Sequence, residues 1–349
     1  MRNNEPVTVA QLVEFDEVID VRSEAEFAED HIPGAINCPV LDNEERNRVG
    51  TLYKQASPFE AKKVGAALVS RNIARHIEAN LAHRPRNWKP LIYCWRGGTR
   101  SGALTSVLQQ IGWRANRLAG GYKTYRRAVI DDLAVLPQQF NLRVICGLTG
   151  SGKSRLLRAL AQAGAQVLDL EALAAHRGSV LGNLPHEPQP SQKMFESLVW
   201  DALRKFDRAR PVYVESESKK IGNLRTPEAL IDAMWASECI NLAASTELRV
   251  PMLINEYAHF VRDPVALGAQ LDCLVQLHGH ERIAAWKAMS VAGDTATLVR
   301  ELLELHYDPA YTRSILKHYP RLEKGLQISV ERDDDAEFER LAGICLSGD

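Results

Sequence analysis

Two clusters of residues in this chain have the types and spacing to do chemistry. The first is Cys94 with the segment after it, Trp95-Arg96-Gly97-Gly98-Thr99-Arg100-Ser101-Gly102. A β-type run from Pro90 to Tyr93 ends on the cysteine, and an apolar helix-like stretch, Ala103 to Ile111, follows the loop. That layout sets a thiol at the carboxyl end of a strand and at a helix N-terminus, where backbone N–H groups attract anions. Neighbouring arginines further favour a thiolate. Cys94 therefore reads as a nucleophile, with Arg96 and Arg100 stabilising an anion beside it. A buried core thiol is the plainer fate of a lone cysteine, but two Arg and two Gly within the next six residues are hard to place in a core. The second cluster is Gly147-Leu148-Thr149-Gly150-Ser151-Gly152-Lys153-Ser154, which satisfies G-x-x-x-x-G-K-[ST] throughout. Gly147, Gly150, Ser151 and Gly152 would wrap the backbone around phosphate oxygens, Lys153 would reach the terminal phosphates and Ser154 would hold Mg²⁺.

The elements that must position these clusters are legible as strands alternating with helices, which predicts parallel sheets and an α/β fold. Glu17 to Val21 predicts a short strand, and Ser23 before Glu24, Glu26 and Phe27 predicts a capped helix start. His31-Ile32-Pro33-Gly34-Ala35-Ile36-Asn37 reads as a turn and another strand, with His31 structural. Arg46 to Pro58 is polar and reads as loop. Ala61 to Leu81 reads as a long helix with Val64, Leu68, Ile73 and Ile77 on its apolar side. Ala119-Gly120-Gly121-Tyr122 is a turn that opens a further helix.

A boundary near Leu136-Pro137-Gln138-Gln139 predicts one domain over 8–135 and a second over 140–349, in keeping with a length of 349 residues. In the second, Leu142 to Cys146 reads as a buried strand leading into the phosphate loop, and Arg155 to Ala163 as its helix. Gln166 to Leu170 and Pro211 to Val214 read as strands ending at Asp169 and Glu215. These two carboxylates are candidates to hold a metal or position water; the alternative for each is a helix cap or a surface charge. The stretch from Gly178 to Ser191 is irregular and long enough to be functional. Beyond Thr226 the chain reads as mostly helical.

Composition narrows the class. A hydrophobic share of 45% and a charged share of 25% are ordinary for a soluble globular protein. No apolar run is long enough to span a bilayer, and the N-terminus has no signal-peptide stretch. The six cysteines are scattered without a C-x-x-C pair, which argues against a structural metal site or a disulfide framework and favours a reducing cytoplasm. The net charge of −1 hides an asymmetry. Residues 1–45 carry 2 basic and 12 acidic side chains, whereas residues 46–127 carry 17 basic and 2 acidic. A basic block beside a reactive thiol suggests a polyanion such as nucleic acid; a solvated face neutralised by the acidic N-terminal stretch is the alternative. Lys54, Lys62, Lys63, Arg71, Arg75, Arg84, Arg86 and Lys89 are the candidates for phosphate contacts. Trp95 could stack on a base or pack in the loop; Trp88 and Trp113 read as core.

Three elements of the first half resemble the rhodanese (sulfurtransferase) family: Asp20-Val21-Arg22-Ser23 with Glu26-Phe27, then His31-Ile32-Pro33-Gly34-Ala35, then the Cys94 loop. The combination of such a domain, reading Cys-Trp-Arg-Gly-Gly in its loop, with a phosphate-loop domain resembles the bacterial tRNA 2-selenouridine synthases over nearly the whole chain. That likeness includes His176-Arg177-Gly178-Ser179 and Glu215-Ser216-Glu217-Ser218. The resemblance implies a rhodanese-like parallel-sheet domain followed by a P-loop NTPase-like α/β domain with a helical C-terminal part. It implies a transferase of selenium-containing groups, acting on the wobble 2-thiouridine of tRNA. The sulfur is S-geranylated from geranyl diphosphate and then displaced by selenium from selenophosphate, with Cys94 as selenium carrier and a selenophosphate supply enzyme as a possible partner. The phosphate loop then either binds an NTP or holds the geranyl donor's diphosphate; the family reaction favours the second. Cys94 to Arg100 also fits C-x-x-x-x-x-R, so a rhodanese-fold cysteine phosphatase, a sulfurtransferase with an NTP-binding domain, and an NTP-switched RNA-binding module stand as alternatives.

Overall fold

The predicted strands form on short runs rich in apolar residues. A computed structural model describes residues 7–348 apart from 180, 186 and 320, and the chain divides into two compact units, residues 1–132 with 191–201 and residues 133–190 with 202–349. In the first unit, β1 (Glu17–Asp20), β2 (Ile36–Asn37), β3 (Pro90–Tyr93) and β4 (Asn116–Arg117) form a parallel sheet in the order β2-β1-β3-β4. Its core gathers Ile19, Ile92, Leu104, Leu108, Trp88 and Trp113. Trp88 and Trp113 meet edge to face with ring centroids 5.3 Å apart.

One segment read as loop is a helix, Asn43–Gln55. Its charged sequence hides any apolar stripe, but Asp42 caps it, with its carboxylate accepting from the Glu45 N–H at 2.8 Å while Glu45 accepts from the Asp42 N–H. It packs on the helix Pro58–His76, which the sequence placed at 61–81 and which continues as a π-helical turn to Leu81.

In the second unit, β5 (Leu142–Cys146), β6 (Gln166–Leu168) and β7 (Val212–Glu215) are followed by the antiparallel hairpin β8 (Lys220–Ile221) and β9 (Leu224–Arg225). Two further strands, β10 (Glu238–Ala244) and β11 (Leu326–Val330), lie in the region read as mostly helical. They complete a five-stranded parallel sheet in the order β11-β10-β5-β7-β6, so β5 is central and its carboxyl end sits at the middle of the sheet edge. Helices Lys153–Gln162 and Asp335–Ser347 cover this sheet through Leu156, Leu160, Phe338 and Leu341.

The helix Gln192–Lys205 departs from the 140–349 assignment, because residues 191–201 pack with the first unit. Polar bonds hold it there. The Ser197 hydroxyl donates to Asp30 Oδ1 at 2.7 Å, Arg126 pairs with Glu196, and Trp200 meets Tyr125 edge to face at 5.4 Å. No helix among the described residues is long and apolar enough to cross a membrane.

Candidate functional site

Cys94 follows β3 and opens a loop that runs to Gly98, the N-cap of the helix Thr99–Ile111. Gly98 takes φ 78°, a left-handed conformation that suits glycine. The loop is pinned from behind: the Cys94 carbonyl accepts from the Tyr122 N–H at 2.8 Å and the Trp95 carbonyl from the Lys123 N–H at 3.1 Å. The approach is so close that a Cβ on Gly121 would overlap the Cys94 carbonyl oxygen.

The thiol is 4% exposed and lies against the apolar core, yet it keeps a polar neighbour, since the Ser101 hydroxyl donates to Cys94 Sγ at 3.4 Å. The two predicted arginine partners have different positions. Arg96 is exposed and lines a cavity of about 280 Å³ with Ser101 and Arg117. Arg100 instead forks onto Glu26, with Nη1 at 2.8 Å from Oε2 and Nη2 at 3.3 Å from Oε1. Trp95 is 45% exposed and stacks on Tyr122 at 5.3 Å, so one of its faces is taken.

The DVRS segment explains why this loop holds its shape. Asp20 and Arg22 are both fully buried, and Arg22 donates to both Asp20 oxygens and to the Asp30 carbonyl at 2.6 Å. The Arg22 guanidinium also lies 4.0 Å from the Tyr122 ring centroid. Tyr122 in turn donates its hydroxyl to Asp30 Oδ2 at 2.8 Å. His31 is structural as expected, stacked on Phe27 at 3.7 Å with Nδ1 2.8 Å from the Phe27 carbonyl oxygen.

The basic block is partly neutralised within the first unit. Arg84 pairs with Glu17 at 2.6 Å, Lys89 with Glu14 at 3.7 Å, Arg71 with Glu45 at 3.5 Å and Lys63 with Glu60 at 2.7 Å. Lys54, Lys62, Arg75 and Arg86 are exposed.

In the second unit, the phosphate loop joins β5 to the helix Lys153–Gln162. Gly152 caps that helix at φ 90°, with Phe338 2.6 Å from where a Cβ would stand. The loop opens on a cavity of about 990 Å³ whose walls include Thr149, Gly150, Gly152, Lys153 and Ser154. Lys153 folds back onto its own loop, donating to the Gly147 carbonyl at 2.8 Å and the Leu148 carbonyl at 3.3 Å. Burial works against its ammonium, but Tyr311, Glu171 and Glu217 outweigh it and raise its affinity for a proton. The Tyr311 ring centroid lies 4.9 Å from Nζ.

The carboxylate beside Ser154 is Glu171, not Asp169. The Ser154 hydroxyl donates to Glu171 Oε2 at 3.1 Å, whereas Asp169 caps the helix Leu170–Leu173 by accepting from the Ala172 N–H at 2.8 Å. Glu215 is where the sequence placed it, at the end of β7, and its Oε1 accepts from the Glu171 N–H at 2.9 Å. Its Oε2 is buried without a partner among the described residues.

Sequence reasoning missed Glu171 and Glu217. Both line the cavity, and Glu217 lies two residues beyond Glu215, the last residue of β7. Burial is the first cause that lifts both carboxyls, Glu171 to about 7 and Glu217 to about 8, with Lys153 opposing the rise in each. Glu215 rises well above the usual range, through burial and then the neighbouring carboxylates. The irregular 178–191 stretch brings Gly178 and Ser179 to the same cavity; its residues 180 and 186 lie outside the described residues.

Arg249 was also missed. It is 2% exposed, donates Nε to the Thr149 carbonyl at 2.9 Å and grips Asp308 with Nη1 at 3.0 Å and Nη2 at 2.5 Å. It thereby ties the phosphate loop to the helix Asp308–His318.

Comparison with known proteins finds a family match for each half of the chain. Residues 5–128 match the family described as "Rhodanese-like domain", and residues 140–269 match "tRNA 2-selenouridine synthase AAA domain". Among curated relatives, the tRNA 2-selenouridine synthase of Shewanella halifaxensis is 34% identical over 279 residues, covering 79% of this chain and 74% of the relative. That of Nitrosomonas europaea is 36% identical, covering 69% of this chain and 63% of the relative. That of Alcanivorax borkumensis is 37% identical, covering 69% and 66%. With a thiol loop after β3, a phosphate loop after β5 and these relatives across both, the chain belongs to the tRNA 2-selenouridine synthase family.

Proposed function

We propose that this protein, working in the cytoplasm, converts the wobble 2-thiouridine of tRNA to 2-selenouridine in two steps. In the first, the thiocarbonyl sulfur attacks C1 of geranyl diphosphate. A C–S bond forms, the C1–O bond breaks, diphosphate leaves and the N3 proton passes to a base, giving S-geranyl-2-thiouridine. In the second, a selenium nucleophile adds at C2 and expels geranylthiolate, which takes a proton and leaves as geranylthiol. Alkylation matters because it makes the sulfur a competent leaving group.

One observation carries this reading: the same chain, in this family, holds a thiol at a helix N-terminus and a phosphate loop opening on a cavity of about 990 Å³. Lys153 and the N-terminus of its helix offer the positive potential that a departing diphosphate needs. The Ser154 hydroxyl and the Glu171 carboxylate, 3.1 Å apart, are the oxygen donors that would hold a Mg²⁺ ion, and the ion would supply charge that neutralises the leaving group.

Cys94 is the selenium carrier in this scheme, supplied with selenophosphate by the enzyme that makes it. Selenium in selenophosphate is at the selenide level. Loading Cys94 as Cys94–S–Se⁻ therefore forms an S–Se bond and breaks the P–Se bond, water taking the phosphoryl group as phosphate, while an external disulfide accepts two electrons and becomes two thiols. After attack on C2 one thiol attacks Cys94 Sγ and breaks the S–Se bond, and a second thiol frees Cys94 as the disulfide re-forms. Ser101, which donates to Cys94 Sγ, and Arg96 stabilise the anion. Exposed Lys54, Lys62, Arg75 and Arg86 serve as tRNA phosphate contacts.

The test is mass spectrometry of nucleosides after incubating the purified protein with 2-thiouridine tRNA, geranyl diphosphate and selenophosphate, each donor omitted in turn. A geranylated nucleoside without selenophosphate, converted to selenouridine with it, is expected. An unchanged nucleoside under every condition would overturn the reading.

A further inference from the structure

A second cavity adjoins the phosphate cavity and differs from it in chemistry. Thr149, Ser179, Leu253, Tyr257 and Tyr307 line both. Beyond them the walls are aliphatic or aromatic apart from Thr295: Leu181, Phe260, Leu267, Leu298 and Leu302 face this annex and not the phosphate cavity. The helices Thr246–Glu256, Ala258–Arg262, Pro264–Asp272 and Thr295–Leu302 enclose it. Two polar groups at the shared wall engage each other, Ser179 Oγ and the Tyr257 hydroxyl at 3.4 Å.

A nucleotide base has several donors and acceptors on its edges, and burying them without partners is costly. Beyond the shared wall, Thr295 is the one polar side chain among the lining residues, too few partners for the edges of a base. A hydrocarbon tail, by contrast, is stabilised in proportion to the apolar area it removes from water. A phosphate loop that opens sideways into such an annex suits a molecule with an anionic head and an apolar tail.

We propose that the annex, a cavity of about 60 Å³, seats the distal end of the hydrocarbon chain of the allylic diphosphate donor, the rest of the chain lying in the larger phosphate cavity, and that Leu298 and Leu302 set the chain length accepted. The inference rests on the reading that the phosphate loop holds that donor's diphosphate. The head group binds through Lys153 and the loop, and the tail passes between Tyr257 and Tyr307 into the annex. Donor preference is then decided by how fully the tail fills the space before it meets Leu298 and Leu302.

The experiment measures kcat/KM for transfer from dimethylallyl, geranyl and farnesyl diphosphate to 2-thiouridine tRNA with the full chain, alongside binding of inorganic diphosphate. The wild-type protein should favour geranyl over dimethylallyl diphosphate by about tenfold or more, each buried methylene adding to affinity. Leu298→Trp should lose most of its geranyl transfer while keeping dimethylallyl transfer and diphosphate binding. Leu302→Ala, which removes volume, should shift preference toward farnesyl diphosphate. Equal losses with every donor and with inorganic diphosphate in both variants, or an unaltered preference in both, would overturn the annex assignment while prenyl transfer itself stood. Wild-type protein that binds Mg²⁺-ATP and transfers no prenyl group would remove the underlying donor reading, and the annex role with it.

Discussion

Arg100 and Glu26 form a two-pronged ion pair that joins the end of the Cys94 loop to the first turn of the helix Glu24–Glu29. Glu26 also accepts from the Ser23 N–H at 3.2 Å, so one carboxylate closes the capping box and anchors the loop. Burial alone would raise the Glu26 carboxyl, but the Arg100 hydrogen bonds and charge overcome this and hold it below the ordinary value. A depressed carboxyl stabilises the fold above about pH 4.5 and loses that contribution as pH falls further. Glu26→Gln should therefore lower stability by about 1 kcal/mol at pH 7, with little difference from wild type at pH 3.5, as read by urea titration. An equal deficit at both values would mean that the effect is not the ion pair.

The two steps should separate by mutation. Cys94→Ser is expected to abolish selenation and leave geranylation within about twofold, because the thiol enters only the second step. Lys153→Ala is expected to reduce geranyl transfer by about 100-fold or more, through loss of charge stabilisation on the leaving diphosphate. Nucleoside mass spectrometry reads both. Selenouridine in tRNA from cells carrying only Cys94→Ser would end the carrier assignment.

The carboxyls around the phosphate loop should leave a signature on stability. Glu171 and Glu217 titrate near 7 and 8 in the fold against 4.5 as the ordinary value, so the native state binds more protons across that interval. The unliganded protein should lose stability as pH rises from about 5 to 8, by several kcal/mol. Glu217→Gln, which mimics the protonated form, should flatten that slope. Denaturant midpoints measured across the interval check it, and a flat wild-type profile would refute it.

Arg249 bonds the phosphate loop at the Thr149 carbonyl and is not among the residues that line the cavity. Arg249→Leu strands Asp308 and the Thr149 carbonyl and should cost about 3 kcal/mol of stability. Its kinetic effect should fall on KM for the diphosphate donor more than on kcat, with partial recovery in Arg249→Lys. A loss confined to kcat would argue against a positioning role.

The loops were legible because each is a local pattern: a strand, a Gly-containing turn and a helix start in consecutive residues, as in Pro90–Thr99 and Leu142–Ser154. What depended on distant partners was not. Glu171 is one of several acids near Asp169 until the fold sets it against Ser154. β10 and β11 lie among helices, and pairing with β5 and with each other marks them as strands. The helix Asn43–Gln55 has no buried residue of its own, so no apolar period announces it. The fate of Arg100 could not be read from C-x-x-x-x-x-R, because its partner is 74 positions away.

The order of the second sheet has a consequence for synthesis. The phosphate loop leaves the ribosome with β5, but the strand flanking β5 on one side begins at Glu238 and the edge strand at Leu326. The helix that packs over the loop's own helix is made later still, at Asp335–Ser347. A nascent chain holds the loop unfinished until that helix has emerged, and a product truncated before residue 326 lacks both the sheet edge and the covering helix. Closure of the loop is thus coupled to synthesis of segments far downstream of it, and premature release yields a chain whose loop is never covered.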